Sequence, residues 1–236
     1  MKKIKSTLLF ILLLLAIQFS IAQSKEIEQL KNDYIESAHL NVNETKIPIV
    51  KWENVDTLKY QIIGDLKYIS QKNWIQFTKE IENLTELKII ETNDNAETHI
   101  YIYFGELNDY FLRFNSVIPK QLYSDFDNWH NRKYNNQKQL IESSLCIVPS
   151  KTKDSKRGVF NLKKLFLKSL GLLGEVNDKN SMFYKHQTEE NTYFMRKDKR
   201  IIKIHYNNSI KAGMTVQQVR IALNSIDLSA LVKEKL

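Results

Sequence analysis

The chain has 236 residues, of which 42% are hydrophobic and 26% charged, with 6 glycines, 3 prolines and 1 cysteine. This composition excludes collagen-like, low-complexity and disulfide-stapled classes and leaves ample apolar area for one core. The formal net charge of +8 is inflated by the first residues and needs correction before it is interpreted.

Lys2, Lys3 and Lys5 precede an apolar run, Leu8 to Ile17, and the small residues Ser20 and Ala22 follow. This is the pattern of a signal peptide over residues 1–22, cleaved after Ala22. The run falls short of the ~20 apolar residues that span a bilayer, so no transmembrane helix is expected after cleavage. Removal takes three of the 35 basic residues and none of the 27 acidic ones, leaving +5. No cysteine ends the leader, so the expected destination is secreted, periplasmic or cell-envelope, and not that of a lipoprotein.

Residues 23–46 read as an N-terminal helix and linker. Ile27, Leu30, Tyr34 and Ala38 lie at helical spacing, and Asn41 to Lys46 is polar. The main domain is expected over 47–236. Ile47 to Trp52 and Leu58 to Ile63 have strand composition, and Gly64-Asp65 stops the second. Ser70 is a suitable N-cap for a helix through Leu84, whose Trp74, Phe77, Ile81 and Leu84 form one stripe. Strands are expected at Leu87 to Glu91 and His99 to Phe104. The section Asn108 to Gln139 shows little period and is left unassigned.

A strand over Leu140 to Val148 follows, with Cys146 in an apolar setting that favours a buried, structural thiol. After a basic loop, Lys151 to Gly158, the pattern predicts a helix from Val159 to Leu173 stopped by Gly174. On a helical wheel Leu162, Leu165, Phe166, Leu170 and Leu173 gather on one side, with Lys164 and Lys168 opposite, facing solvent or a cleft. A polar loop with Ser181-Met182-Phe183, a helix over Asp198 to Tyr206, and a capping box at Thr215-Val216-Gln217-Gln218 complete the chain.

This succession of elements, with Leu170-Gly171-Leu172 ending a helix and Ser181-Met182-Phe183 in the following loop, resembles the metzincin zinc metalloprotease domain. It looks most like a degenerate bacterial branch of that fold, whose members are secreted and uncharacterised. The resemblance covers roughly Ile47 to Leu223 and implies an α+β single domain: a twisted mixed sheet packed on helices, one of them the former active-site helix. It further implies that Met182 forms a hydrophobic floor beneath that helix.

An active member would carry H-E-x-x-H-x-x-G-x-x-H, two histidines one turn apart and a third beyond a glycine bend. With the glycine set on Gly171, the ligand positions fall on Lys164, Lys168 and Gly174, and the general base on Leu165. None of these can do the chemistry. The resemblance therefore implies a pseudoenzyme with no metal and no cofactor.

Rival constellations are thin. His39, His99, His130, His186 and His205 include no pair three to five residues apart. His99 and His205 read as half-buried packing residues, whereas His130 is the best placed to line a cleft. Glu175 and Asp178 follow the helix and offer a pair of carboxylates, but the setting suits a solvated polar loop better. No nucleophile-elbow, Walker or dinucleotide fingerprint occurs.

Lys151, Lys153, Lys156, Arg157, Lys163, Lys164 and Lys168 face one acid, Asp154, in the same stretch. Such a basic surface offers an anionic glycan or peptide a site at Lys164 and Lys168, although it suits a solvated helix face better. It does not suit nucleic acid, because interleaved aromatics are missing. The sequence thus points to a secreted, non-catalytic binding or envelope-associated protein. The alternative is a secreted hydrolase, metallopeptidase-like, with groups supplied by the section 108–139.

Overall fold

The computed structural model describes residues 21–114, 126–184 and 192–234. The apolar leader run, His186 and part of the unassigned middle section lie outside the described residues. No helix among the described residues is long and apolar enough to cross a membrane.

The domain is α+β. Helix α1 (21–38) leads to a minimal hairpin, β1 (Asn41–Val42) and β2 (Thr45–Lys46). Asn43 and Glu44 take positive φ at its turn, as a two-residue hairpin requires. Then come β3 (Thr57–Ile63), α2 (Gln71–Thr85), β4 (Lys88–Glu91), β5 (Ile100–Phe104), α3 (Leu107–Arg113), β6 (Asn128–Tyr134) and β7 (Leu140–Ile147). Helices α4 (Ser155–Ser169), α5 (Arg196–Tyr206), α6 (Val216–Leu223) and α7 (Leu228–Lys233) follow.

The main sheet has the order β4-β3-β5-β7-β6. Its first three pairings are parallel and the last, β6 with β7, is antiparallel. Alternation along the strands divides the core in two. Ile100, Ile102, Phe104, Leu145 and Ile147 face the larger cluster, which includes Trp74, Phe77, Phe166, Ile201 and Ile204 from the helices. Cys146 and Val148 face the smaller cluster with α3, through Leu107, Tyr110, Phe111 and Phe114. Burial pushes the Cys146 thiol far above the usual range, which keeps it an inert packing group.

Several expectations hold. Ser70 caps α2 by accepting from Asn73 N at 3.2 Å, and Thr215 and Gln218 form the capping box that starts α6. Helix α1, expected as an appendage, shares the larger core through Leu30, Tyr34, Ile35 and Ala38.

Others are corrected. Residues 47–52 form no strand; Lys51 makes only an isolated bridge to Gln139. Their composition reflects burial rather than pairing, because Ile49, Val50 and Trp52 are core residues. Their backbone partners sit in loops: Ile49 exchanges bonds with Met214 and Gly213 at 2.9 and 2.8 Å. Helix α4 starts earlier than expected, where Asp154 accepts from Arg157 N at 2.8 Å. It ends at Ser169, because Gly171 at φ +101° turns the chain before Gly174 is reached. The middle section contributes α3 and β6, of which β6 becomes the sheet edge among the described residues.

Lys51 ties the N-terminal segment to α5. Its Nζ donates to the carbonyls of His205 and Ile210 at 2.9 and 3.0 Å. The end of a helix offers unpaired carbonyls that suit an ammonium. Burial nonetheless lowers the Lys51 pKa to about 8.

Candidate functional site

The face of α4 toward β6 carries most of the polar groups that packing does not explain. Arg157, Asn161, Lys164 and Lys168 follow one another by four, three and four residues and so form a single stripe on the helix. At its N-terminal end, Asp127 accepts from Arg157 Nε at 3.1 Å and Asn161 Nδ2 at 3.0 Å. This fastens the start of β6 to α4.

Further along, the wheel expectation for Lys164 is corrected. Lys164 is buried, and the turn after α4 folds back to cover it: Nζ donates to Tyr184 O at 2.8 Å and lies 3.3 Å from Glu175 Oε1. Lys168, partly exposed, reaches the same carboxylate oxygen at 3.6 Å. Glu175 is therefore a bridge between two lysines and not one of a carboxylate pair. Burial, and then the neighbouring Lys168, lower the Lys164 pKa.

Across from this stripe, His130 and Arg132 project from the same face of β6. His130 Nε2 is 3.0 Å from Ser143 Oγ on β7. Its pKa is pushed well below the ordinary value by burial, then by Arg132 and Lys168, so the ring is neutral. The Arg132 Nε atom is buried and has no hydrogen-bond partner among the described residues. The α4–β6 face thus holds four cations, Arg157, Lys164, Lys168 and Arg132, with a neutral imidazole and two carboxylates, Asp127 and the bridging Glu175.

The remaining aligned positions serve packing. Leu165 is a core residue and Met182 is fully buried in the same cluster. A Cβ on Gly171 would lie 1.9 Å from Val50 O, and one on Gly174 would lie 1.9 Å from Glu36 O. Both glycines let backbone segments touch. The Ser181-Met182-Phe183 turn is latched to the start of α5 by buried Asp198, which accepts from Ser181 Oγ at 2.5 Å, Met182 N at 3.1 Å and Met195 N at 3.0 Å.

Asp198 has a pKa raised to about 6, because burial outweighs its hydrogen bonds. The folded state then holds this proton more tightly than the unfolded chain, whose carboxylate titrates near 3.8. The contribution is fully present below about pH 4 and is lost as pH rises through 6. Asp198→Asn can keep the two backbone bonds on its oxygen and donate its amide to Ser181 Oγ. We expect stability within about 1 kcal/mol of wild type at pH 7 and a flattened slope between pH 4 and 6. Urea midpoints across that range measure both.

Asp178 does not meet Glu175 as a catalytic partner. It is 2.5 Å from Lys197 Nζ, which also pairs with Asp33 at 2.9 Å. His39 contacts Ile47 O at 2.7 Å through Nδ1. His99 Nδ1 accepts from Lys59 N at 3.1 Å while its ring edge packs on Trp52. His205 is fully buried beside Tyr34, 3.3 Å from its hydroxyl. No group of three His, Cys, Asp or Glu among the described residues converges as a metal-ligand set.

Two features of the face escaped the sequence. The spacing of Arg157, Asn161, Lys164 and Lys168 was available as a helical signal. The presence of Arg132 was not, because β6 lies in the section that had no period.

A family model described as "Protein of unknown function (DUF2927)" matches residues 27–225, and the chain belongs to that family. No curated protein matches it.

Proposed function

We propose that this chain is an exported, non-catalytic binding protein on a metalloprotease-like scaffold, taking an anionic ligand at the α4–β6 face. The observation that carries the reading is the convergence of Lys164 and Lys168 on Glu175, at 3.3 and 3.6 Å. These are the positions where the resemblance calls for zinc ligands. Zinc takes thiolate, imidazole or carboxylate donors, and two ammonium groups and a glycine do not fit it. The site retains positive charge, with Arg132 and Lys168 both close enough to depress His130.

The element order supports the scaffold: β3, α2, β4, β5, a long connection, β7, α4, the Met182 turn and α5. The hydrolase alternative has less support. In the described part of the middle section Asp127 is committed to Arg157 and Asn161, and His130 to Ser143.

A labelled oligoglutamate peptide tests the anion site. Binding at low salt should weaken as salt rises, since exposed charges are screened over about 8 Å at physiological ionic strength. Lys168→Ala with Arg132→Ala should remove it, and Lys151→Ala with Lys153→Ala should not. Equal losses from both pairs would overturn the assignment to this face. Purified protein should also lack stoichiometric zinc by elemental analysis, whereas zinc with chelator-sensitive peptidase activity would favour the hydrolase. Export predicts an intact mass beginning at Gln23, and a product retaining Leu8 to Ile17 would reject the leader reading.

A further inference from the structure

A second groove, of about 500 Å³, lies where α2 and α4 begin, away from the α4–β6 face. That volume is within the range of small-molecule sites, roughly 300–1,000 Å³. Tyr68 and Tyr193 contribute aromatic walls, and Phe77 lies beneath them. The exposed side chains of Asn73 and Gln76 bring amide donors and acceptors to the rim.

The Tyr68 wall is built at a local cost. Tyr68 has φ +68°, which a bulky non-glycine residue seldom adopts. Gly158 occupies an interior position of α4, where glycine is a poor helix former. A Cβ at Gly158 would lie 2.3 Å from Tyr68 Cγ, so the glycine is the seat of that ring. Two unfavourable local choices therefore serve one aromatic surface.

The groove is also cationic. Lys163 lies over the Phe77 ring at 5.1 Å and donates to Thr192 O at 2.7 Å. Among the described residues neither Lys163 nor Lys156 has a carboxylate in ion-pair range, whereas Glu80, the acid of the groove, is paired with Lys199 at 2.8 Å. Flat aromatic surface, amides at the rim and ammonium groups outside ion-pair range of a carboxylate match a sugar ring that carries a carboxylate, although Glu80 lies near enough to Lys163 to act on it.

We propose that this groove binds an acidic saccharide, its ring on Tyr68 and its carboxylate at Lys156 and Lys163. The site is independent of the α4–β6 face. Trigalacturonate and its methyl ester are the probes, titrated calorimetrically into the mature protein. Trigalacturonate should bind saturably, and the ester at least about tenfold more weakly, since it removes the charged partner of the lysines. Tyr68→Gly should lower affinity about tenfold or more; it relieves the φ strain but removes a partly buried ring, so its cooperative unfolding is measured alongside to show that the variant is folded. Lys168→Ala with Arg132→Ala should leave trigalacturonate binding unchanged.

Equal affinity for acid and ester, or no binding of either, would overturn the proposal. So would undiminished binding by Tyr68→Gly. Loss of binding in the Lys168 and Arg132 variant, with Tyr68→Gly unaffected, would move the saccharide to the other face.

Discussion

Gly171→Ala should lower the unfolding temperature by about 10 °C, corresponding to about 4 kcal/mol for a domain of this length. Two effects add. At φ +101° a residue with a Cβ is strained, and the new methyl group would lie 1.9 Å from Val50 O and 2.9 Å from His205 Nε2. Positive-φ strain costs about 1–3 kcal/mol and core overpacking about 1–3 kcal/mol. A Cβ is fixed by its own backbone and Val50 O is backbone too, so no rotamer change relieves that contact. A thermal midpoint within 3 °C of wild type, roughly 1 kcal/mol, would mean that the segment around Val50 moves aside freely.

Met182→Asp should cost on the order of 3 kcal/mol, because the side chain is fully buried among apolar core residues and an aspartate there loses its hydration. Asp198, which accepts the Met182 N–H at 3.1 Å, is a second buried carboxyl beside the new one. Met182→Leu is the control, expected to cost less than about 1.5 kcal/mol as a volume-conserving change. Chemical denaturation of the three proteins measures the difference. Similar midpoints for Asp and Leu would place Met182 outside the load of the core and weaken the metalloprotease-like reading of the turn.

What the sequence made legible was local. Ser70 and Thr215 cap their helices through residues three positions away, so their effect can be read from a short window. The apolar stripes of α2 and α4 likewise carry their own period. Residues 47–52 were misread because an apolar, β-branched run signals burial, whereas pairing depends on what lies alongside. The segment lies between Leu140 and Gly213, which no window contains.

The site was legible in half. Lys164 and Lys168 were singled out, but the wheel gives a direction and not what fills it. The turn carrying Glu175 and Tyr184 covers Lys164, and only the folded chain brings it there. Arg132 was invisible for a related reason. An edge strand of polar and aromatic residues, Asn128 to Tyr134, lacks the alternation that a one-sided strand would show. Its Trp129 packs on α3 while His130 and Arg132 face α4.

The ties from the N-terminal segment to α5 bear on the order in which the molecule can assemble. Tyr34 meets His205 across 171 residues, and Lys51 meets the same residue's carbonyl across 154. Contacts of such sequence separation form only after the intervening chain has paid its closure entropy. A ribosome releasing this chain has therefore made nearly all of it before Tyr34, Ile49 and Lys51 acquire their final neighbours. Until α5 emerges, those residues lack their final partners, whereas β3, β4 and β5 can already pair with one another. The strands can thus gather early while the N-terminal segment waits, and the arrival of α5 and the loop to Met214 is the event that lets it dock.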